Sequence, residues 1–249
     1  MREVPIAILI FFCLLAASLG GRAISERLPS SHRQDDTLNA VRQVASIFVV
    51  MTSLVLGLMI SSAKNTFEGV DHNVHSLATS LIILDRTLVQ FGPETNDTRQ
   101  RLLDYTKRAA NGTRHGDPLL ADRASESLLN DVGKSLRAIK PKNPEQLALW
   151  EDARHQFQKV FELRWIIVEQ SEGTIPVPLL VMLVAWLALI FASFGYRAPR
   201  NPVVTGSFVL SSLLVAGAIY LIMDMDVPFS GPIQVSPIPL QRAIMELQQ

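Results

Sequence analysis

A carboxylate and two imidazoles near residue 70 are the side chains whose types and spacing best match a metal site. Asp71, His72 and His75 fall within about one and a half helical turns, and both kinds of group are common zinc ligands. The heptad pattern described below places all three on the water-facing side of a helix, and no cysteine or third histidine stands near them. We therefore interpret them as a solvated helix face and predict neither a bound metal nor a cofactor.

Charged residues also interrupt an apolar run farther along the chain. Asp85 and Arg86 break the stretch SLIILDRTLVQF, where an isolated charge would be costly to bury. We expect Asp85 to form a structural ion pair with a base from a neighbouring helix, such as Arg154 or Arg164. A functional role for the pair is the alternative.

Two more carboxylates, Asp224 and Asp226, end the last apolar run of the chain. We predict that one of them pairs with Arg164 or Lys64 at the edge of a membrane. Binding of a metal or another ion by the two acids is the alternative.

Other kinds of chemistry have no recognisable pattern in the sequence. Nucleotide-binding loops, serine-hydrolase elbows and zinc-protease motifs are absent, which argues against an enzyme. The 23 basic and 23 acidic residues balance, so no cationic surplus indicates nucleic acid as a partner. The single cysteine, Cys13, excludes a disulfide within one chain.

Four apolar segments without an internal Asp, Glu, Lys, Arg or His dominate the rest of the sequence. A bilayer core about 30 Å thick is crossed by roughly 20 apolar helical residues, so we predict four transmembrane helices and the lipid bilayer as a partner. The predicted spans are residues 4–21, 44–62, 175–196 and 203–223. Because the first span follows a short charged start and ends in small residues, a cleaved signal peptide is the alternative there.

The segment after the second span carries apolar residues at alternating steps of three and four, from Phe67 to Phe91. This heptad spacing is typical of a helix packed along a seam. We predict one helix from Val44 to Phe91, about 70 Å long. Three further helices are expected over about 96–110, 119–139 and 143–173, which predicts an antiparallel bundle inserted between spans two and three.

The C-terminal segment, residues 224–249, begins with a proline-rich strip. Proline has a fixed φ and no N–H, so we predict that residues 227–239 are not helical. After the strip, Leu240, Ile244 and Leu247 fall on one helical face. They predict a short amphipathic helix that lies against the bundle or the bilayer surface.

Five stretches of the sequence are distinctive. They are ERLPSSHRQDDTLNAVRQ and LVLGLMISSAKNTFE around the second span, LDRTLVQFGPET after it, FASFGYRAPRNPVV between the last two spans, and MDMDVPFSGPIQVSPIPL in the proline strip. These stretches resemble a family of bacterial integral membrane proteins described as bestrophin-like and of unknown function. The resemblance covers nearly the whole chain and implies four spans with a helical insertion between the middle pair.

The resemblance also implies a candidate pore, because bestrophins are pentameric anion channels whose second helix lines the pore. On the second span of this chain, the candidates for pore-facing side chains are Ser46, Phe48, Thr52 and Ser53. Bestrophin pores narrow at aromatic side chains, and Phe48 is the one aromatic residue of this span.

Arginines in the two short loops, residues 22–43 and 197–202, bear on orientation. Positively charged loops tend to remain in the cytoplasm. The pattern favours cytoplasmic short loops in a bacterial inner membrane, with the bundle and both termini on the outer side. Small residues spaced four apart, such as Ala17 and Gly21, favour close helix packing, either within the chain or between copies of a homo-oligomer.

The sequence as a whole predicts an all-α membrane protein in four parts. These are a transmembrane hairpin at 1–62, a helical bundle at 63–174, a second transmembrane hairpin at 175–223, and the proline strip with its helix at 224–249. For function, we favour a multi-pass, non-enzymatic membrane protein with a role in assembly or partner contact. The alternatives are an oligomeric bestrophin-type anion channel with span two lining the pore, and a membrane sensor whose long helix relays a signal.

Overall fold

The described part of the chain is entirely helical apart from its turns and connections. A computed structural model describes residues 3–27, 35–115, 123–171, 173, 175–196, 198–229 and 231–249, and no strand occurs among them. The helices are α1 (Glu3–Arg27), α2 (Asp35–Phe91), α3 (Asn96–His115), α4 (Arg123–Ala138), α5 (Pro144–Gln170), α6 (Val177–Gly195), α7 (Pro202–Asp226) and α8 (Ile238–Leu247).

Helix boundaries follow the sequence signals, with differences at several helix ends. The long helix predicted from Val44 begins earlier, at Asp35. The helix expected to stop at Ala110 continues to His115, because a glycine inside a helix costs only about 1 kcal/mol and does not by itself end it. The start predicted at residue 119 for the next helix lies outside the described residues, and α4 is described from Arg123.

Four of these helices are long and apolar enough to cross a membrane. They are Glu3–Ser25 within α1, Asn39–Phe91 within α2, Val177–Gly195 and Pro202–Asp226. Each contains a stretch of at least 18 residues of high hydropathy, which suffices for the hydrocarbon core of a bilayer. The chain is therefore an all-helical protein with four candidate membrane-spanning helices, as the sequence predicts.

The chain folds as two compact units. Unit 1 comprises Met1–Lys64 and Thr174–Asp226, and unit 2 comprises Asn65–Gly173 and Val227–Gln249. The division falls within α2, which contributes its first part to unit 1 and its second part to unit 2.

In unit 1, α1 packs against both α6 and α7. Its contact with α6 depends on small residues, because a Cβ atom at Gly21 would collide with the carbonyl oxygen of Ala192. The reverse also holds, since a Cβ atom at Gly195 would collide with the carbonyl oxygen of Ser18. The small residues of α1 thus pack within the chain, which is one of the two interpretations offered by the sequence. The buried core of the unit includes Ile10, Leu14, Leu183, Leu187 and Ile219.

In unit 2, the heptad seam predicted on α2 is buried. Its members Val70, Val74, Leu77, Leu81, Leu84 and Leu88 are almost completely inaccessible to solvent. The same core contains residues of α3, α4, α5 and α8, among them Leu102, Val132, Val160 and Leu240. A seam of this length requires partners on several sides, and these helices supply them.

The N-terminus of α5 is fixed by a side-chain cap. The side chain of Asn143 accepts a hydrogen bond from the backbone N–H of Gln146 at 2.7 Å, and Pro144 occupies the first turn. The Gln146 side chain accepts in return from the backbone N–H of Lys142 at 2.9 Å, one residue before the position used in a standard capping box.

The proline strip is compact and ends slightly earlier than predicted. The N–H of Val235 donates to the carbonyl of Pro228 at 3.0 Å, and Gly231 has a positive φ of 87°, a conformation that favours glycine. α8 begins at Ile238, so the prediction that residues up to 239 are non-helical was wrong. Pro239 lies in the first helical turn, where its missing N–H has no intrahelical partner to lose.

Candidate functional site

The part of α2 in unit 1 presents two very different faces. One face is buried and includes Ala45, Thr52, Met59 and Ala63, which follow one another at steps of seven, seven and four residues. This spacing keeps them on one side of the helix. Most of the remaining circumference is exposed in the single chain, and a few side chains such as Phe48 are half-buried.

The exposed face contains a stripe of polar and small residues at helical spacing, which we call the α2 polar stripe. Steps of three or four residues keep its members in one line along the helix. All are exposed, and only Val50, at 70% exposure, is a large apolar residue. The members are Gln43, Ser46, Val50, Ser53, Gly57, Ser61 and Lys64.

Two serines of the stripe are already hydrogen-bonded to their own helix. Ser46 Oγ donates to the carbonyl of Gln43 at 2.7 Å, and Ser53 Oγ donates to the carbonyl of Val49 at 2.8 Å. A hydroxyl satisfied in this way tolerates an apolar environment. It still offers lone pairs to a cation and can rotate to donate to an anion.

The four side chains proposed as pore-facing from the sequence separate into two groups. Ser46 and Ser53 lie on the α2 polar stripe. Thr52 is buried at 4% exposure, and its hydroxyl has no hydrogen-bond partner among the described residues. Phe48 is half-buried and lines an apolar groove of about 450 Å³ between α1, α2 and α6. Thr52 and Phe48 therefore face the interior of unit 1.

The carboxylate of Asp85 in unit 2 is buried and paired. Arg99 of α3 donates to it twice, from Nε to Oδ1 at 2.7 Å and from a terminal nitrogen to Oδ2 at 3.2 Å. The sequence suggested Arg154 or Arg164 as the partner, and this was wrong because α3 lies beside α2 at this level. The hydrogen bond with Asp85 raises the pKa of Arg99. Arg86, the next residue of α2, forms an ion pair with Glu246 of α8 at 2.6 Å.

Asp71, His72 and His75 do not form a metal centre. His75 Nδ1 lies 2.9 Å from the carbonyl oxygen of Asp71 and 3.5 Å from its Oδ2, which is an interaction within one helix. His72 is exposed. Within the described ranges, no group of three His, Cys, Asp or Glu side chains is arranged to hold a metal ion.

Asp224 and Asp226 are both buried at the end of α7. One oxygen of Asp226 accepts a hydrogen bond from the backbone N–H of Ile175 at 2.9 Å. This bond ties the end of α7 to the chain just before α6 within unit 1. The predicted pairing of either acid with Lys64 stays a prediction.

Arg164 is the unexpected residue of unit 2. It is 1% exposed, and neither Nε nor Nη1 has a hydrogen-bond partner in the part of the chain that the structure describes. The pairing predicted with Asp224 or Asp226 is therefore not formed by these atoms. The guanidinium carbon lies 5.0 Å from the ring centroid of Trp165, and its charge also acts on the buried phenol of Tyr105. Sequence reasoning did not identify Tyr105.

Comparison with known proteins bears on both units. The Bestrophin-like domain family matches residues 12–240. No curated protein matches the sequence significantly. Among solved structures, one variant of a bacterial bestrophin homologue from Klebsiella pneumoniae superimposes with a TM-score of 0.68 at 11% identity, covering 100% of both chains. A second variant gives a TM-score of 0.68 at 11% identity, covering 96% of this chain and 97% of the other.

A further crystal structure, described as a membrane protein, gives a TM-score of 0.65 at 13% identity and covers 97% of this chain and 96% of the other. At such identities the likeness concerns the fold. The family match extends over most of the sequence, and the protein therefore belongs to the Bestrophin-like family of membrane proteins.

Proposed function

We propose that this protein is a non-enzymatic, oligomeric membrane protein of bestrophin type that conducts small ions, with α2 lining the path. The observation that carries this proposal is the α2 polar stripe, which remains exposed in the single chain. From Gln43 to Lys64 the stripe extends about 31 Å at 1.5 Å per residue. This matches the thickness of the hydrocarbon core of a bilayer.

Polar side chains in a membrane normally face the interior of a bundle or a water-filled cavity. Several copies arranged around an axis, each turning its stripe inward, would remove Gln43 and the serines from lipid and surround a polar path. The small side chains of Ser46, Ser53 and Gly57 leave room for hydrated ions on that axis. The fold shared with the bestrophin homologue from Klebsiella pneumoniae supports such an arrangement.

In this proposal, unit 2 forms a helical bundle outside the membrane, inserted between spans two and three. The arginine-containing short loops face the cytoplasm, and unit 2 lies on the other side of a bacterial inner membrane. Anions are the expected cargo, because bestrophins are anion channels.

A role in assembly or partner contact without ion flux is the second candidate. The large apolar side chains beside the stripe support it, since Val44, Ile47, Leu54 and Leu58 are each more than half exposed. Such a surface suits contact with another helix as well as with lipid. Both candidates require copies or partners around α2, and ion flux distinguishes them.

The test is flux of halide, and separately of potassium, through liposomes that contain the purified protein. Heat-denatured protein at equal mass is the blank. Ser53→Leu should reduce flux by at least about tenfold, because an apolar constriction favours dewetting of a pore. Ser207→Leu is the matched control, since Ser207 is an exposed serine of α7 whose hydroxyl donates to Val203 O at 2.9 Å in the same manner.

If Ser53→Leu and Ser207→Leu reduce the flux equally, this result would contradict a path along α2. Flux equal to that of the blank, with folded protein recovered afterwards, would favour the assembly role. Flux of potassium without halide would retain the path but reverse the expected selectivity.

A further inference from the structure

Arg164 occupies a position where a core hydrophobe is expected. The buried residues of α5 are Ala153, Val160, Arg164 and Ile167, at steps of seven, four and three that define one face of the helix. The charge is thus part of the apolar seam of unit 2, and its side chain is 1% exposed.

Arginine at such a position cannot avoid its charge. A buried lysine or histidine can lose its proton, whereas the guanidinium remains protonated and presents five N–H donors. The ring of Trp165 at 5.0 Å offers a cation–π contact, but it does not satisfy Nε and Nη1, which are buried without a hydrogen-bond partner in the described ranges. A negatively charged acceptor is required, because it would balance the charge of the guanidinium and accept hydrogen bonds from its unsatisfied N–H groups.

The acids among the described residues of unit 2 do not supply that acceptor. Asp85 is the one acid among the described residues of unit 2 that is buried to the same degree, and Arg99 holds it in a bidentate pair. Tyr105 belongs to the same buried core as Val160 and Ile167 of α5, and burial raises the pKa of its phenol, so it remains a neutral hydroxyl. That hydroxyl also lacks a partner. Guanidinium and phenol therefore present three buried donor groups and no negative charge.

We propose that Arg164 and Tyr105 together bind a small inorganic anion, of the size of chloride, within unit 2. Two N–H groups and one O–H group would donate to it, and the guanidinium would balance its charge. Nearly complete burial of both residues excludes large organic anions. This site is separate from the path proposed along α2 and does not depend on ion conduction.

The test is thermal unfolding of the full chain in detergent, with sodium gluconate replaced stepwise by sodium chloride or bromide at constant ionic strength. Gluconate is too large for a site of this kind. A ligand that binds only the folded state raises Tm as its concentration passes the dissociation constant. We expect a rise of at least about 5 °C at saturating chloride.

Variants assign the effect to the site. Arg164→Met should abolish the dependence on chloride and should be at least as stable as the wild type in gluconate, because the unpaired charge is gone. Tyr105→Phe should retain the dependence with an affinity lowered by about tenfold. Arg154→Met is the matched control, because Arg154 is an exposed arginine of the same helix, with its guanidinium 4.7 Å from the ring of Trp150. The Tm of this variant should rise with chloride as that of the wild type does.

A wild-type Tm that is the same in gluconate and chloride would overturn the proposal. It would mean that Arg164 is unpaired or that a carboxylate of the chain neutralises it in solution. A chloride effect of equal size in the wild type and Arg164→Met would also overturn it, by assigning the anion to another place. If Arg164→Met does not fold, anomalous scattering from bromide in crystals of the wild type, beside Arg164 or absent there, decides the question.

Discussion

Removal of the Asp85 carboxylate should destabilise unit 2 strongly. The Asp85 side chain is 3% exposed, and Arg99 is 25% exposed, so Asp85→Ala removes two charge-assisted hydrogen bonds and leaves a largely buried guanidinium without its partner. Breaking a fully buried pair costs about 3 to 5 kcal/mol, and the partial exposure of Arg99 favours the lower end. A loss of about 3 kcal/mol corresponds to a fall in Tm of roughly 6 to 12 °C for a chain of this size.

Thermal unfolding in detergent, followed by circular dichroism, measures this loss. Asp131→Ala is the matched control, because Asp131 forms an exposed pair with Lys134 at 2.9 Å on the surface of α4, and its removal should change Tm by less than about 2 °C. The double variant Asp85→Leu with Arg99→Met should recover most of the loss, since an apolar pair replaces a buried ionic one at little cost. If Asp85→Ala lowers Tm no more than Asp131→Ala does, the buried pair does not hold α2 and α3 together and the reasoning fails.

Two further changes test the packing of the individual units. Gly195→Leu should separate α1 from α6, because even a Cβ atom would collide with the backbone of Ser18. Gel filtration of this variant should show little folded protein. Gly206→Leu on α7 is the control and should leave the elution unchanged, because no atom lies within 4 Å of the added Cβ. Asn143→Ala should destabilise the first turn of α5 by about 1 kcal/mol, which hydrogen exchange at the α5 N-terminus would detect, while Asn143→Asp should preserve the protection. Equal behaviour of the two glycine variants, or unchanged exchange in Asn143→Ala, would contradict the corresponding contact.

Features with a regular period were predictable from the sequence, and single pairings were not. The four spans and the α2 seam follow from composition and heptad spacing, which the structure reproduces. The partner of Asp85 was misassigned because it depends on the register between α2 and α3, and no sequence pattern reports that register. The burial of Arg164 was detectable in principle, since it lies four residues after Val160 and three before Ile167. Tyr105 carries the same kind of signal, three residues after Leu102.

Polarity alone does not distinguish α2 from the other spans. Ser207 of α7 is exposed and bonded to its own helix in the same way as Ser53, and such serines are compatible with lipid. What distinguishes α2 is the length of the line of polar and small side chains along it. The exposed residues of α1 and α6 are mainly large and apolar, for example Leu9 and Phe194, and on α7 exposed leucines such as Leu214 follow Ser207 within two turns.

Among the described spans, α2 alone carries a line about 31 Å long in which every exposed side chain except Val50 is polar or small. A lipid-facing helix gains nothing from such a line, because Gln43 and the serines bury less apolar surface there than leucines would. Contact with protein or water along the whole thickness of the membrane accounts for it. Close protein contact would make Ser53→Leu disrupt assembly, whereas a water-filled path would let the oligomer form and stop the ions. Gel filtration of this variant beside the flux assay therefore separates the two candidate functions at one residue.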